Sequence, residues 1–133
     1  MTARKQKTKE YSIIIEAGAS PDYLEMRSDF TLAKYFSSNI TFLKSGQSPM
    51  ADVYIERLHQ NWEIKSIFGN GKNTIHHRLS CIEKQSYNIV INLYRSSMKP
   101  QVAIGRIKKE LKGATRIKKL LLITKSDKVI AIK

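Results

Sequence analysis

Between Ala51 and Ser66 the chain reads Ala-Asp-Val-Tyr-Ile-Glu-Arg-Leu-His-Gln-Asn-Trp-Glu-Ile-Lys-Ser. Val53, Tyr54 and Ile55 are β-branched or aromatic, His59, Gln60 and Asn61 interrupt them, and Trp62 to Ile67 resumes an alternating pattern. Such a stretch folds back on itself as a β-ribbon, and the remainder must be arranged around it. Side chains alternate along a strand, so Glu63 and Lys65 share one face while Trp62 and Ile64 share the other. The hairpin would return Asp52, at the mouth of the first strand, to the side of Glu63. Two carboxylates and an ammonium on one small patch suffice to hold a hard divalent cation, Mg²⁺ or Mn²⁺, and to activate a water against a phosphodiester. In that chemistry Asp52 and Glu63 are the oxygen ligands, and Lys65 orients the water or offsets developing charge. A surface ion pair is the plainer account of Glu-x-Lys in so lysine-rich a chain. Asp52 upstream, and Trp62 and Ile64 anchoring the strand in a core where unpaired charge is costly, favour the catalytic account.

The flanking pattern is that of an α/β domain. Residues 1–20 read as a basic N-terminal arm, with Arg4, Lys5, Lys7 and Lys9, followed by a short strand near Tyr11 to Glu16. Residues 21–133 read as the domain proper. Ser20 and Pro21 suit a helix entrance, as N-cap and first helical residue, and the helix should continue to about Ser37. Glu25 and Asp29, four apart, lie on one face of it, and either is a candidate to reach the ribbon's acids. Ile40 to Leu43 is a short strand. Thr74 would cap a second helix over Ile75 to Ser86, with Ile75, Leu79 and Ile82 buried. Asn88 to Leu93 is a near-continuously apolar central strand, Gln101 to Leu111 a helix with a basic face, Ile117 to Lys125 a strand, and Lys128 to Lys133 an edge strand. The sum is a mixed central β-sheet flanked by helices.

Charge narrows the partners. Twenty-four Lys and Arg against eleven Asp and Glu leave a formal +13, which favours a polyanion. Arg106, Lys108, Lys109, Lys112, Arg116, Lys118 and Lys119 crowd into one stretch with Glu110 as its only acid. A solvated face is the ordinary reading of such a run. Beside a nuclease site it becomes a ridge that grips phosphates without reading sequence. No apolar run approaches the ~18 residues of a membrane span, and the charged first ten residues do not resemble a secretory signal. The single cysteine, Cys81, excludes an internal disulfide or a cysteine-rich zinc site and is most simply a small buried hydrophobe.

Ala51-Asp52 followed by Glu63-Ile64-Lys65 resembles the PD-(D/E)xK nuclease motif, with Ala51 in place of the proline. The longer run Trp62-Glu63-Ile64-Lys65-Ser66-Ile67-Phe68-Gly69, then Asn73-Thr74-Ile75, Glu83-Lys84-Gln85-Ser86 and Asn88-Ile89-Val90-Ile91-Asn92, resembles the C-terminal toxin nuclease domains of contact-dependent growth inhibition proteins. The resemblance spans roughly Pro21 to the C-terminus. It implies a restriction-endonuclease-like core and a metal-dependent endonuclease, with tRNA the favoured substrate and DNA the other. Asp52, Glu63 and Lys65 would be catalytic, Gln85 would line the site, and Asp29 or Glu25 would complete it. It further implies an acidic immunity protein as partner and a cytoplasmic site of action reached by delivery from another cell. Two alternatives stand beside it. One is a metal-independent ribonuclease of the barnase and colicin type, in which His76 or His77 with Arg78 performs acid–base cleavage. The other is a nucleic-acid-binding module that kept the fold without the activity.

Overall fold

Alternate isoleucines decide the first part of the structure. The computed structural model describes residues 3–7, 10–44, 52–69, 75, 76, 79, 88–114 and 116–133. The chain divides into two units, Met1–Glu63 and Ile64–Lys133. In the first, β1 (Arg4–Lys7) pairs antiparallel with β2 (Ser12–Ile15), and β2 runs parallel to β3 (Ile40–Phe42). β3 then pairs antiparallel with β4 (Val53–Ile55), and β4 with β5 (Gln60–Ser66), which runs on past the unit boundary. A parallel neighbour requires a crossover, and α1 (Tyr23–Phe36) supplies it, packing on β2, β3 and β4. Ile13, Ile15, Ile40, Phe42, Val53 and Ile55 are buried with Leu32 and Ala33 of α1, whereas Ile14, Thr41 and Tyr54, on the opposite pleat, are only half-buried.

Local chemistry corrects three expectations in this unit. Arg4–Lys7 is an edge strand, not a free arm, and the Arg4 guanidinium donates to the Ala19 carbonyl at 2.9 Å. The helix starts two residues later than Ser20-Pro21 suggests, because Asp22 and Glu25 form a capping box. The Glu25 N–H donates to Asp22 Oδ1 at 2.8 Å, and the Asp22 N–H donates to Glu25 Oε1 at 3.1 Å. Asp22→Ala should therefore lower thermal stability by about 1 kcal/mol, readable as a drop in Tm that Asp22→Ser largely restores. The reversal in the ribbon is a single 3-10 turn over Glu56–Leu58, closed by His59 at φ 51°, so the break falls ahead of Gln60 and Asn61, which belong to β5.

The second unit is built on two strands buried on both faces. β6 (Asn88–Asn92) and β7 (Lys119–Ile123) run parallel, joined through α2 (Pro100–Leu111), and β8 (Val129–Ala131) closes antiparallel on β7. Ile89, Val90 and Ile91, and Leu120 to Ile123, are buried without alternation, as strands covered on both sides must be. Ala103 and Ile107 of α2 join this core, as do Ile67, Ile75, Leu79 and Ile117. Ile75, His76 and Leu79 are helical, as expected for the second helix. The rest of that expectation, with His77, Arg78, Cys81, Ile82 and Gln85, falls outside the described residues.

Candidate functional site

Asp29 sits on the sheet-facing side of α1, one turn before Ala33, and is 0% exposed. Neither of its carboxylate oxygens accepts a hydrogen bond among the described residues. A charged group so placed is expensive. Burial, reinforced by the nearby negative charges of Glu25 and Asp52, holds its pKa well above the usual aspartate range. Glu25, one turn earlier, is also raised. Burial is the main cause, the Asp22 N–H pulls the other way, and the charges of Asp22 and Asp52 add to the rise. Three acids from α1 and the ribbon therefore feel one another: Glu25, Asp29 and Asp52. Glu25 is partly occupied by its cap, so Asp29 is the member whose oxygens remain to be satisfied.

The main chain explains how Asp52 comes to act on a helix. Its N–H donates to the Trp62 carbonyl at 3.0 Å, yet Trp62 is the register partner of Val53. Asp52 and Val53 thus oppose one residue, a β-bulge, the device that re-aims side chains at sheet margins. On its other side, the Asp52 carbonyl accepts from Leu43 N–H at 2.9 Å, which fixes the residue between β3 and β5. Trp62, 1% exposed, packs its ring 5.5 Å from that of Phe36 at the end of α1.

Glu63 follows Trp62 directly and is buried at 3% exposure. Lys65 lies two residues on, half-buried, on the same pleat of β5 as Glu63. The acids coupled by charge are thus Asp29 and Asp52 with Glu25, while Glu63 and Lys65 are adjacent positions along one strand. Gln85 lies outside the described residues. Buried hard-oxygen donors suit Mg²⁺ or Mn²⁺, and Asp29 is such a donor, satisfied by a proton or by a cation. Among the described residues, no group of three or more His, Cys, Asp or Glu stands in metal-ligating geometry. The fit lies in the kind of donors and their burial.

Of the basic stretch, Lys108, Lys109, Lys112, Arg116, Lys118 and Lys119 are exposed, and Arg106 is half-buried. They follow α2 and the segment leading into β7. His76 hydrogen-bonds through Nδ1 to Glu110 Oε2 at 2.6 Å. Beside this pair a cavity of about 290 Å³ is lined by Ile75, Arg106, Lys109 and Glu110. Two features of the acidic cluster went unread in the sequence, the bulge at Asp52 and the capping duty of Glu25. The second had a signal, Asp22-x-x-Glu25, which is the capping-box spacing. The first had none.

Residues 51–129 match the family described as the contact-dependent growth inhibition CdiA C-terminal domain. The fold is shared with a solved CdiA-CT/CdiI toxin and immunity complex from Burkholderia pseudomallei, with a TM-score of 0.64 at 20% identity, over 91% of this chain and 98% of that one. No curated relative matches the chain.

Proposed function

As the chain belongs to the contact-dependent growth inhibition CdiA C-terminal domain family, we propose that it is a toxin nuclease with a PD-(D/E)xK-type core. It is delivered from one cell to act in the cytoplasm of another, where it cleaves phosphodiester bonds, with tRNA the leading substrate. The observation that carries this reading is the wholly buried Asp29 carboxylate, with no hydrogen bond among the described residues and in electrostatic contact with Asp52 across the helix–ribbon junction. Asp52 and Glu63 are the motif positions that would hold Mg²⁺ or Mn²⁺, and Asp29 would have to close on them when the cation binds, since no three acids stand in ligating geometry among the described residues. When bound there, such a cation would supply a water of lowered pKa and charge neutralisation at the phosphoryl oxygens. Asp52 is positioned by its bulge. Lys65 orients the attacking water or stabilises the charged transition state. Gln85 is assigned to the site by its motif position alone. The exposed basic residues from Arg106 to Lys119 hold the substrate backbone, so binding should weaken steeply with salt. The similar solved structure contains an immunity protein, and a cognate acidic inhibitor fits a chain of charge +13.

The test is a cleavage panel. Purified protein is incubated with tRNA and with plasmid DNA, in Mg²⁺ and in EDTA, beside Glu63→Gln and Lys65→Ala. Cleavage of tRNA in Mg²⁺, lost in EDTA and in both variants, is the expected result. Cut plasmid and intact tRNA would make the domain a DNase of the same fold, and binding without product in any buffer would make it a non-catalytic module. A second reading has its own observation: the His76 imidazole oriented by Glu110 at 2.6 Å, beside a cavity lined by Arg106 and Lys109, is an acid–base pair next to phosphate-binding cations. It predicts tRNA cleavage that survives EDTA and is lost in His76→Ala.

A further inference from the structure

We infer that Phe68 and Arg95 form a stacking platform for one unpaired base of the substrate, an assignment that rests on the nucleic-acid reading above. Phe68 follows the end of β5 and is 47% exposed, a large apolar ring held in solvent. The Arg95 guanidinium carbon stands 5.6 Å from its ring centroid, a cation–π pair. An exposed ring at the tip of a loose loop would carry little meaning, but this one is fastened. Gly69 N–H donates to the Arg95 carbonyl at 3.4 Å, and Ser97 N–H donates back to the Gly69 carbonyl at 3.2 Å. The Ser96 hydroxyl, on a residue 1% exposed, donates to the same Gly69 carbonyl at 2.6 Å and accepts from Met98 N–H at 3.0 Å. The aromatic and the cation therefore stand on two segments bolted together, and little conformational freedom is lost when a ligand lands on them.

The surroundings choose the ligand. Phe68 and Gly69 are both exposed. Among the described residues, the exposed neighbours in sequence of this segment are Arg95, Ser97 and Lys99, polar or cationic. A flat π-face beside guanidinium and ammonium groups is the chemistry that receives a nucleobase and its phosphate. In a duplex both faces of each base are already stacked. The platform should thus accept only splayed-out or single-stranded bases, and would bias the enzyme toward loops and ends over paired stems.

The experiment separates stacking from cleavage. Binding of a fluorescently labelled, 2′-O-methylated single-stranded 12-mer and of the matching duplex is followed by anisotropy in EDTA, for wild type, Phe68→Ala and Phe68→Trp. Phe68→Ala should weaken single-strand binding roughly tenfold and leave duplex binding unchanged, consistent with the energy of one base stacked on an aromatic ring. Phe68→Trp should retain single-strand binding and show quenching of the new indole. Equal losses for single strand and duplex, no loss for either, or no single-strand binding by wild type would overturn the platform. So would a Phe68→Ala defect confined to capture of the immunity protein. Oligonucleotide binding through Phe68 by a protein that cuts nothing would keep the platform and discard the nuclease. Normal single-strand binding by a Phe68→Ala enzyme that still cleaves would do the reverse.

Discussion

Asp52→Asn is expected to slow phosphodiester cleavage roughly a thousandfold while leaving the fold and the affinity for nucleic acid in place. The separation follows from what holds the residue. Two hydrogen bonds that fix its backbone, to Trp62 and from Leu43, are made by main-chain atoms and do not depend on the carboxylate. The bulge therefore survives the substitution, while the negative charge is removed. Binding should persist as well, because the exposed cations that would carry it lie along α2 and the segment leading into β7. The measurement is a single-turnover cleavage rate on tRNA in Mg²⁺, with circular dichroism and filter binding alongside. A rate within tenfold of wild type would remove Asp52 from the chemistry, and with it the reason for siting that chemistry at the helix–ribbon junction. Glu63→Gln should be comparably damaging if its carboxylate joins the same cation.

Asp29→Asn should make the cation-free protein more stable at neutral pH, by at least about 1 kcal/mol. The sign follows from proton counting. Burial and the negative charges of Glu25 and Asp52 raise the pKa of Asp29 in the folded chain above its unfolded value. Between those two values the native state holds more protons than the unfolded state, so stability falls as pH rises through that window. Its contribution is complete below the unfolded pKa and is lost on passing the raised one, at about 1.4 kcal/mol for each pH unit of separation. Asparagine of nearly the same shape abolishes the titration, and the slope of Tm against pH should flatten in that window. Glu25, shifted the same way, leaves a residual slope. Adding Mg²⁺ at pH 7 should then invert the ranking. A cation bound only by the folded state stabilises it by mass action, and wild type should gain Tm where Asp29→Asn does not. Identical pH profiles for the two proteins would mean that Asp29 ionises as readily folded as unfolded, and would undo the electrostatic description of the cluster.

Much of this was legible in residue order because local preferences and tertiary packing agreed. Asn88 to Leu93 announced a buried strand by lacking alternation, and Tyr11 to Glu16 and Ile40 to Leu43 announced short strands by their apolar residues. Pro100 and the pattern after it placed α2 within one residue. The failures have specific causes. Arg4-Lys-Gln-Lys looks like a solvated arm because nothing in it seeks burial. It is a strand because β2 has a free edge whose backbone groups need partners, a property of the neighbour and not of the segment. Ser20 and Pro21 formed a good helix entrance, but Asp22 with Glu25 formed a reciprocal one, and two hydrogen bonds outweigh one. At the site, the acids and the reach of Asp29 or Glu25 toward the ribbon could be named, but not the turn of Asp52 toward the helix. Strict pleating pointed Asp52 toward Glu63 alone, and an extra residue in a strand leaves no mark in composition or periodicity.

That two-against-one match at Trp62 has an evolutionary corollary. The direction in which Asp52 faces is encoded by a count of residues, not by any side chain, so the ribbon can drift in sequence while keeping its aim.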